Sequence, residues 1–221
     1  MKALLSFLAL SLLLISPASA NTKISELPAG SYALDKTHAS LIWKVSHLGL
    51  SNYTARFTDF DAELTLDPED VTQSSLIVTI DPTSLETDYP NPEEKDFDKK
   101  LIESDQWFNA GKFPEIKFAS KRIEVTGTNT GKVYGTLDFL GVQEPLVMDV
   151  TFNGSMLEHP YAKKAALGFS AKTVLQRSQW GFDTYLPNIG DNVEVLVEVE
   201  FIKADDVPET TEDNTDSKET E

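Results

Sequence analysis

Six stretches of this chain alternate apolar and polar side chains with a period of two. Leu41, Trp43, Val45 and His47 share one side of Ser40–His47, with Ile42, Lys44 and Ser46 on the other. Leu76, Val78 and Ile80 repeat the pattern, as do Val133, Gly135, Leu137 and Phe139, and then Leu146, Met148, Val150 and Phe152. Leu167, Phe169 and Ala171 follow, and the series ends with Val193, Val195, Val197, Val199 and Phe201. Successive side chains of a strand point to opposite faces, so each stretch has one dry face and one mostly wet face. That pattern belongs to half-buried antiparallel strands and excludes a helical fold.

So many strands in one chain must hide their edges, either by closing into a barrel or by pairing as two sheets. Further strands are expected at Tyr53–Phe60, Ala62–Leu66 and Glu115–Lys121 running on to Gly127. Asn129-Thr130-Gly131 reads as a hairpin turn, and Leu140 to Pro145 as a longer one. Pro92 to Asn109 breaks the alternation: a proline at a helix start, early acids, later lysines, and Gly111 and Pro114 as stops. Phe97 and Leu101, four apart, give it one apolar face. The expectation is a short helix or two lidding one end of the β-structure.

The ends of the chain are different material. Lys2, the apolar run Ala3–Ile15 and the small-residue close at Ala18-Ser19-Ala20 predict a signal peptide over 1–20 and an exported, periplasmic protein. The run is short for a membrane span, and no later segment approaches the roughly 20 apolar residues a span requires. No cysteine is present, so the 21–203 body must be held by its core alone. Ala204 to Glu221 carries eight acidic residues against Lys218 and predicts a disordered acidic tail. With 36 acidic and 19 basic residues overall, the chain repels phosphate backbones, so nucleic acid is not an expected partner.

No motif for nucleophilic, metal-dependent or phosphate-binding chemistry occurs. His38 is expected to bond a turn backbone and His47 to cap a strand end, with no metal site and no catalytic set. The inward faces are aliphatic and aromatic, so a molecule enclosed by them must be apolar. Wall candidates are Trp43, Val45, His47, Phe57, Val78, Phe118, Leu137, Phe139, Phe152, Leu167 and Phe169. Arg177 and Trp180, where the alternation stops, read as the polar rim: Arg177 to touch a head group, Trp180 to cover the chain.

Ordered blocks from Tyr32 to Lys203 resemble the YceI-like family. They include Tyr32-x-Leu34-Asp35-x-x-His38-Ala39-Ser40, Val45-x-His47-Leu48-Gly49 and Phe57-x-x-Phe60. Then come Ser84-Leu85-Glu86-Thr87, Leu101-x-x-Ser104-x-x-Trp107-Phe108 and Phe113-Pro114-x-Ile116-x-Phe118. The series closes with Gly135-x-Leu137-x-x-x-Gly141-Val142-x-x-Pro145, Arg177-Ser178-x-Trp180-Gly181 and Gly190-Asp191-x-Val193. Ala55 stands where the family commonly has glycine, and Lys100 where it often has histidine. The resemblance implies an all-β, eight-stranded antiparallel lipocalin-like barrel with a short helical lid. It also implies an internal channel for a polyisoprenoid or similar long-chain lipid, such as a quinone or isoprenyl phosphate, with no other cofactor. The expected function is a carrier that performs no chemistry. The alternatives are an enzyme on a bound lipid using His47 or Arg177, and an interaction partner of a membrane redox protein. A homodimer stays open.

Overall fold

The computed structural model of the protein describes residues 22–205. The expected signal peptide and nearly all of the acidic tail lie outside the described residues. Eleven strand segments follow in order: β1 (Gly30–Leu34), β2 (Ser40–His47), β3 (Ser51–Phe57), β4 (Phe60–Leu66), β5 (Ser75–Ile80), β6 (Leu85–Glu86), β7 (Ile116–Val125), β8 (Thr130–Phe139), β9 (Val142–Met156), β10 (Ala166–Gln176) and β11 (Ile189–Lys203). One helix, α1 (Phe97–Glu103), lies between β6 and β7.

The segments assemble into eight long antiparallel strands forming a closed barrel. β1 and β2 lie along the same edge of β11: Leu34 pairs with Phe201, and Leu41 with Val197. β4 pairs with β1 while β3 pairs with β2, and β5 and β6 continue beside β4 and β3 in the same way. Each of the first three long strands is therefore broken once. Aspartates hold two of the breaks open as 3₁₀ turns: Asp35 accepts from the Thr37 N–H (2.9 Å) and Asp81 from the Thr83 N–H (2.8 Å). A short side chain that binds the backbone two residues on competes with the ladder at that point.

Two turns sit elsewhere than the sequence suggests. The β7–β8 connection is 126–129, with Thr130 and Gly131 already in β8. The β8–β9 turn is only Leu140-Gly141, both at positive φ (52° and 75°), the conformation a two-residue hairpin turn requires. Pro145 thus lies inside β9, opposite Thr136. β10 pairs with β9 only over Asp149–Met156, so at Pro145 the strand is paired on one side, where a sheet tolerates proline.

The lid is shorter than the sequence pattern predicts. The Asp96 carboxylate caps α1 by accepting the Lys99 N–H (2.9 Å), and helix ends at Glu103. Thr87, just past β6, hydrogen-bonds the Asp98 carboxylate and ties the helix to the barrel rim. Leu101 is buried on the inner face, and Phe97 packs edge-on against Tyr53 (6.3 Å between centroids). Among the described residues, no helix is long and apolar enough to cross a membrane.

Candidate functional site

The inward faces of the barrel do not meet. They leave a cavity of about 370 Å³ running along the interior, within the range of small-molecule sites. Its wall is aliphatic and aromatic from strand to strand: Leu41, Trp43 and Val45 on β2, Leu76, Val78 and Ile80 on β5, Leu146 to Phe152 on β9, and Val193 to Phe201 on β11. The alternation that builds the strands is what makes this wall, since every second residue faces in.

One end of the channel is closed by aromatic rings. Phe108, delivered by the lid, packs against Phe57 (5.5 Å), Phe139 (6.0 Å), Phe182 (5.5 Å) and Trp43 (6.4 Å). Trp107 clamps the lid to the 181–190 loop by edge contact with Phe182 (5.7 Å), and Thr184 Oγ1 donates to the Gln106 carbonyl (2.7 Å). The Trp107-Phe108 pair therefore pins the lid to the barrel. The other end reaches the 125–131 hairpin, where the wall residue Val125 is 54% exposed, so the mouth lies there.

Ten of the thirteen expected wall and rim residues line this cavity: Trp43, Val45, Phe57, Val78, Phe118, Leu137, Phe139, Phe152, Phe169 and Arg177. His47, Leu167 and Trp180 do not. His47 is exposed at the end of β2, paired across to Ile189. Leu167 is only 2% exposed and is packed into the hydrophobic core, outside the cavity lining. The lid and loop residues Leu101, Phe108 and Phe182, absent from that set, also face the cavity. The helical spacing of Phe97 and Leu101 was the signal for the first of them.

The expected polar rim is a structural knot instead. Arg177 opens a 3₁₀ turn, Arg177–Trp180, that Gly181 ends in the left-handed conformation (φ 73°). The guanidinium is 2% exposed and donates from Nε to the Gly190 carbonyl (2.8 Å), from Nη1 to Phe182 (2.7 Å), and from Nη2 to Thr184 (2.9 Å) and Ile189 (3.0 Å). It thus satisfies four of the five N–H groups a guanidinium carries on the backbone of one loop. Burial draws its pKa below the ordinary value, with Asp191 and Asp183 partly offsetting the effect. Asp191 in turn accepts from the Ser178 N–H (2.9 Å) and hydroxyl (2.8 Å). Trp180 is 1% exposed, and its indole donates to the Leu137 carbonyl (3.1 Å). This arrangement holds the loop that carries Phe182; it offers no donor set for a head group.

His38 also departs from expectation. Its Nδ1 bonds the Asp35 carboxylate (2.9 Å) rather than a backbone group, and Asp35, His38 and Glu200 bring one ligand atom each within 4.8 Å of one another. Asp35 is already engaged by the Thr37 N–H and hydroxyl (2.6 Å), which accounts for the cluster as the fastening of the β1–β2 break.

A family model described as a YceI-like domain matches residues 32–201. A UPF0312 protein of Pseudomonas fluorescens (strain SBW25) is 32% identical over 180 residues, covering 80% of this chain and 89% of that one. The crystal structure of a Campylobacter jejuni YCEI protein superposes with a TM-score of 0.63 at 29% identity, covering 72% of this chain and 90% of that one. A polyisoprenoid binding domain from Saccharophagus degradans, implicated in plant cell wall breakdown, superposes with a TM-score of 0.56 over 80% of this chain and 100% of that one. At 14% identity the last likeness is one of fold alone.

Proposed function

The chain belongs to the YceI-like family, and on that premise we propose that it is an exported carrier holding one long-chain lipid of the polyisoprenoid class in the barrel. The observation that carries the proposal is the channel: an unfilled cavity of about 370 Å³ walled by aliphatic and aromatic side chains, with a mouth at one end and an aromatic stop at the other. The polyisoprenoid-binding neighbour points to the same ligand class for a barrel of this shape.

The energetics suit an apolar chain. Each buried CH₂ contributes about 0.8 kcal/mol, so two or three isoprene units contribute roughly 8–12 kcal/mol. Association costs about 4–15 kcal/mol in lost freedom, so a chain of this length binds mainly through its tail. The protein performs no chemistry on it; the charged groups near the channel end are engaged in holding loops. It acts in the periplasm after removal of residues 1–20.

Lipid extraction and mass spectrometry of protein purified from its native host test the proposal. A stoichiometric isoprenoid-type lipid is the expected result. Protein found repeatedly lipid-free, and unable to take up an isoprenoid added in detergent, would sink it.

A further inference from the structure

Two neighbouring loops at the lid end of the barrel carry no charge, in a chain of which 25% is charged. No Asp, Glu, Lys or Arg stands between Lys44 and Arg56, or between Asp183 and Asp191. The fold joins the two stretches: the Leu48 N–H donates to the Asn188 carbonyl (2.7 Å), and His47 pairs with Ile189. Their tips are apolar and face outward. Leu48 is 54% exposed, Leu50 85% and Tyr185 57%, and Pro187 is exposed as well. The turn displays its leucines against local preference. The Leu50 N–H donates to the His47 carbonyl (3.0 Å) across Leu48 and Gly49, both left-handed (φ 55° and 67°). Such turns favour Asn, Asp or Gly, and a leucine there is strained. Tyr185 is left-handed too (φ 61°). Surface residues that break a local rule mark a place kept for something other than the fold.

We propose that these two tips form a membrane-contact site, which sets the lid end of the barrel on a phospholipid bilayer through Leu48, Leu50 and Tyr185. The contact stands on the tips alone; its use, passing lipid between bilayer and channel, rests on the carrier reading above. Charge selects the face. With 36 acidic residues against 19 basic ones, the body of the protein is repelled by anionic head groups, and its ionised groups are costly to desolvate. An uncharged tip approaches head groups and sheds water without that cost. Its composition suits the bilayer boundary. Leucine side chains reach the acyl region, and a tyrosine ring belongs at head-group level, where its hydroxyl stays wet.

Other occupants fit less well. A stable protein–protein interface, a second copy of this chain included, takes roughly 20–30 residues a side, far more than two loop tips present. The acidic segment after residue 205 starts at the opposite end of the barrel, where Lys164 Nζ pairs with Asp205 (2.6 Å), and it needs cations that the tips lack. The tips also hold the lid. The Tyr185 ring lies 5.9 Å from that of Trp107, and Thr184 fastens the Gln106 carbonyl. A bilayer that draws in Tyr185 therefore pulls on the fastening over the aromatic stop, at the end of the channel away from the 125–131 mouth.

The test is flotation of protein exported and processed in its native host, with vesicles of phosphatidylcholine and with vesicles of equal parts phosphatidylcholine and phosphatidylglycerol. Wild type is expected to float with the first and more weakly with the second, because its body is acidic. Leu50→Asp should weaken binding about tenfold or more, the worth of one leucine leaving an apolar surface. Leu48→Asn should weaken it as well while matching or exceeding the wild-type urea midpoint, since asparagine suits the turn. Tyr161→Asp, at an exposed tyrosine between β9 and β10 at the far end, should change nothing. Wild type that does not float, binding that grows with phosphatidylglycerol, full binding in Leu50→Asp, or an equal loss in Tyr161→Asp would each overturn the proposal. A wild-type dimer in light scattering that Leu50→Asp splits would overturn it too, by giving the tips to a second copy. Vesicle binding through Leu50 by protein that holds no lipid would keep the contact and remove the carrier reading.

Discussion

Replacing Arg177 by methionine separates two views of the Arg177-Ser178-x-Trp180-Gly181 turn. Methionine keeps much of the stem's volume and removes every donor. The side chain it replaces is 2% exposed and donates to the carbonyls of Phe182, Thr184, Ile189 and Gly190. A hydrogen bond from a charged donor contributes about 1.5–3 kcal/mol, so four amount to roughly 6–12 kcal/mol gross. Holding a guanidinium out of water without a carboxylate partner offsets several kcal/mol of that. The net loss expected is about 3–5 kcal/mol, which for a domain of this size lowers Tm by roughly 10 °C. Thermal unfolding and urea midpoints on the same samples measure it. Arg177→Lys should recover less than half, because one ammonium cannot reach four carbonyls spread over nine residues of loop. A drop below about 1 kcal/mol, accompanied by lost lipid retention, would refute the structural role and return Arg177 to the head group.

Three further outcomes follow from other parts of the molecule. Gly135→Ala should cost about 2–4 kcal/mol, since a Cβ there meets both the Phe118 ring and the Ala119 carbonyl, and the backbone atom cannot swing aside; a variant as stable as wild type in urea would contradict the register of β7 on β8. Ala171→Phe should project a ring into the channel and displace about three methylene groups of ligand, weakening lipid retention by roughly 50-fold with the circular dichroism unchanged; undiminished retention would place the lipid elsewhere. His38 is raised above its ordinary 6.5, first by its hydrogen bond to Asp35, and Asp35 is lowered below its ordinary 3.8, first by Thr37. The histidine's contribution is complete below 6.5 and fades as pH rises through its folded value, while the carboxylate's is complete above 3.8 and fades as pH falls through its own. Stability should therefore be flat between those limits, and the decline above 6.5 should vanish in His38→Ala; an identical alkaline decline in that variant would exclude the pair as its source.

Much of the barrel wall is legible in the chain because burial and period two are one fact seen twice. Val193 to Phe201 alternate in the sequence, and all five apolar members face the cavity. Where a strand breaks is less legible. Asp35 and Asp81 are recognisable as turn formers, but that they interrupt long strands without ending them depends on β11 continuing past the first gap and pairing with both halves. Leu167 keeps the right period and is still absent from the cavity lining, because the core packs closely around it, and how far a void extends along a strand is not written in that strand's alternation. The lid residue Phe108 is not among the expected wall residues, since a residue outside any periodic run gives no sign of which side of a sheet it will cover.

The polar groups mark the deeper limit. Arg177 and Trp180 sit together where alternation fails, which in a sequence has the look of an exposed functional rim. Yet the carbonyls that claim Arg177 come from positions five to thirteen residues later, in a loop with no sequence pattern for curling around a cation. Trp43 lies in an ordinary apolar face, and the alternation marks it as wall without saying what its indole nitrogen meets. The two tryptophans have the same indole and opposite situations: Trp180 has a carbonyl of β8 against its nitrogen, and Trp43 has none. Hydrogen-bond satisfaction is settled by which backbone atom another strand happens to present, a long-range fact that residue type does not encode. In this fold the conspicuous polar turn is therefore scaffolding, held by carbonyls that no local pattern announces.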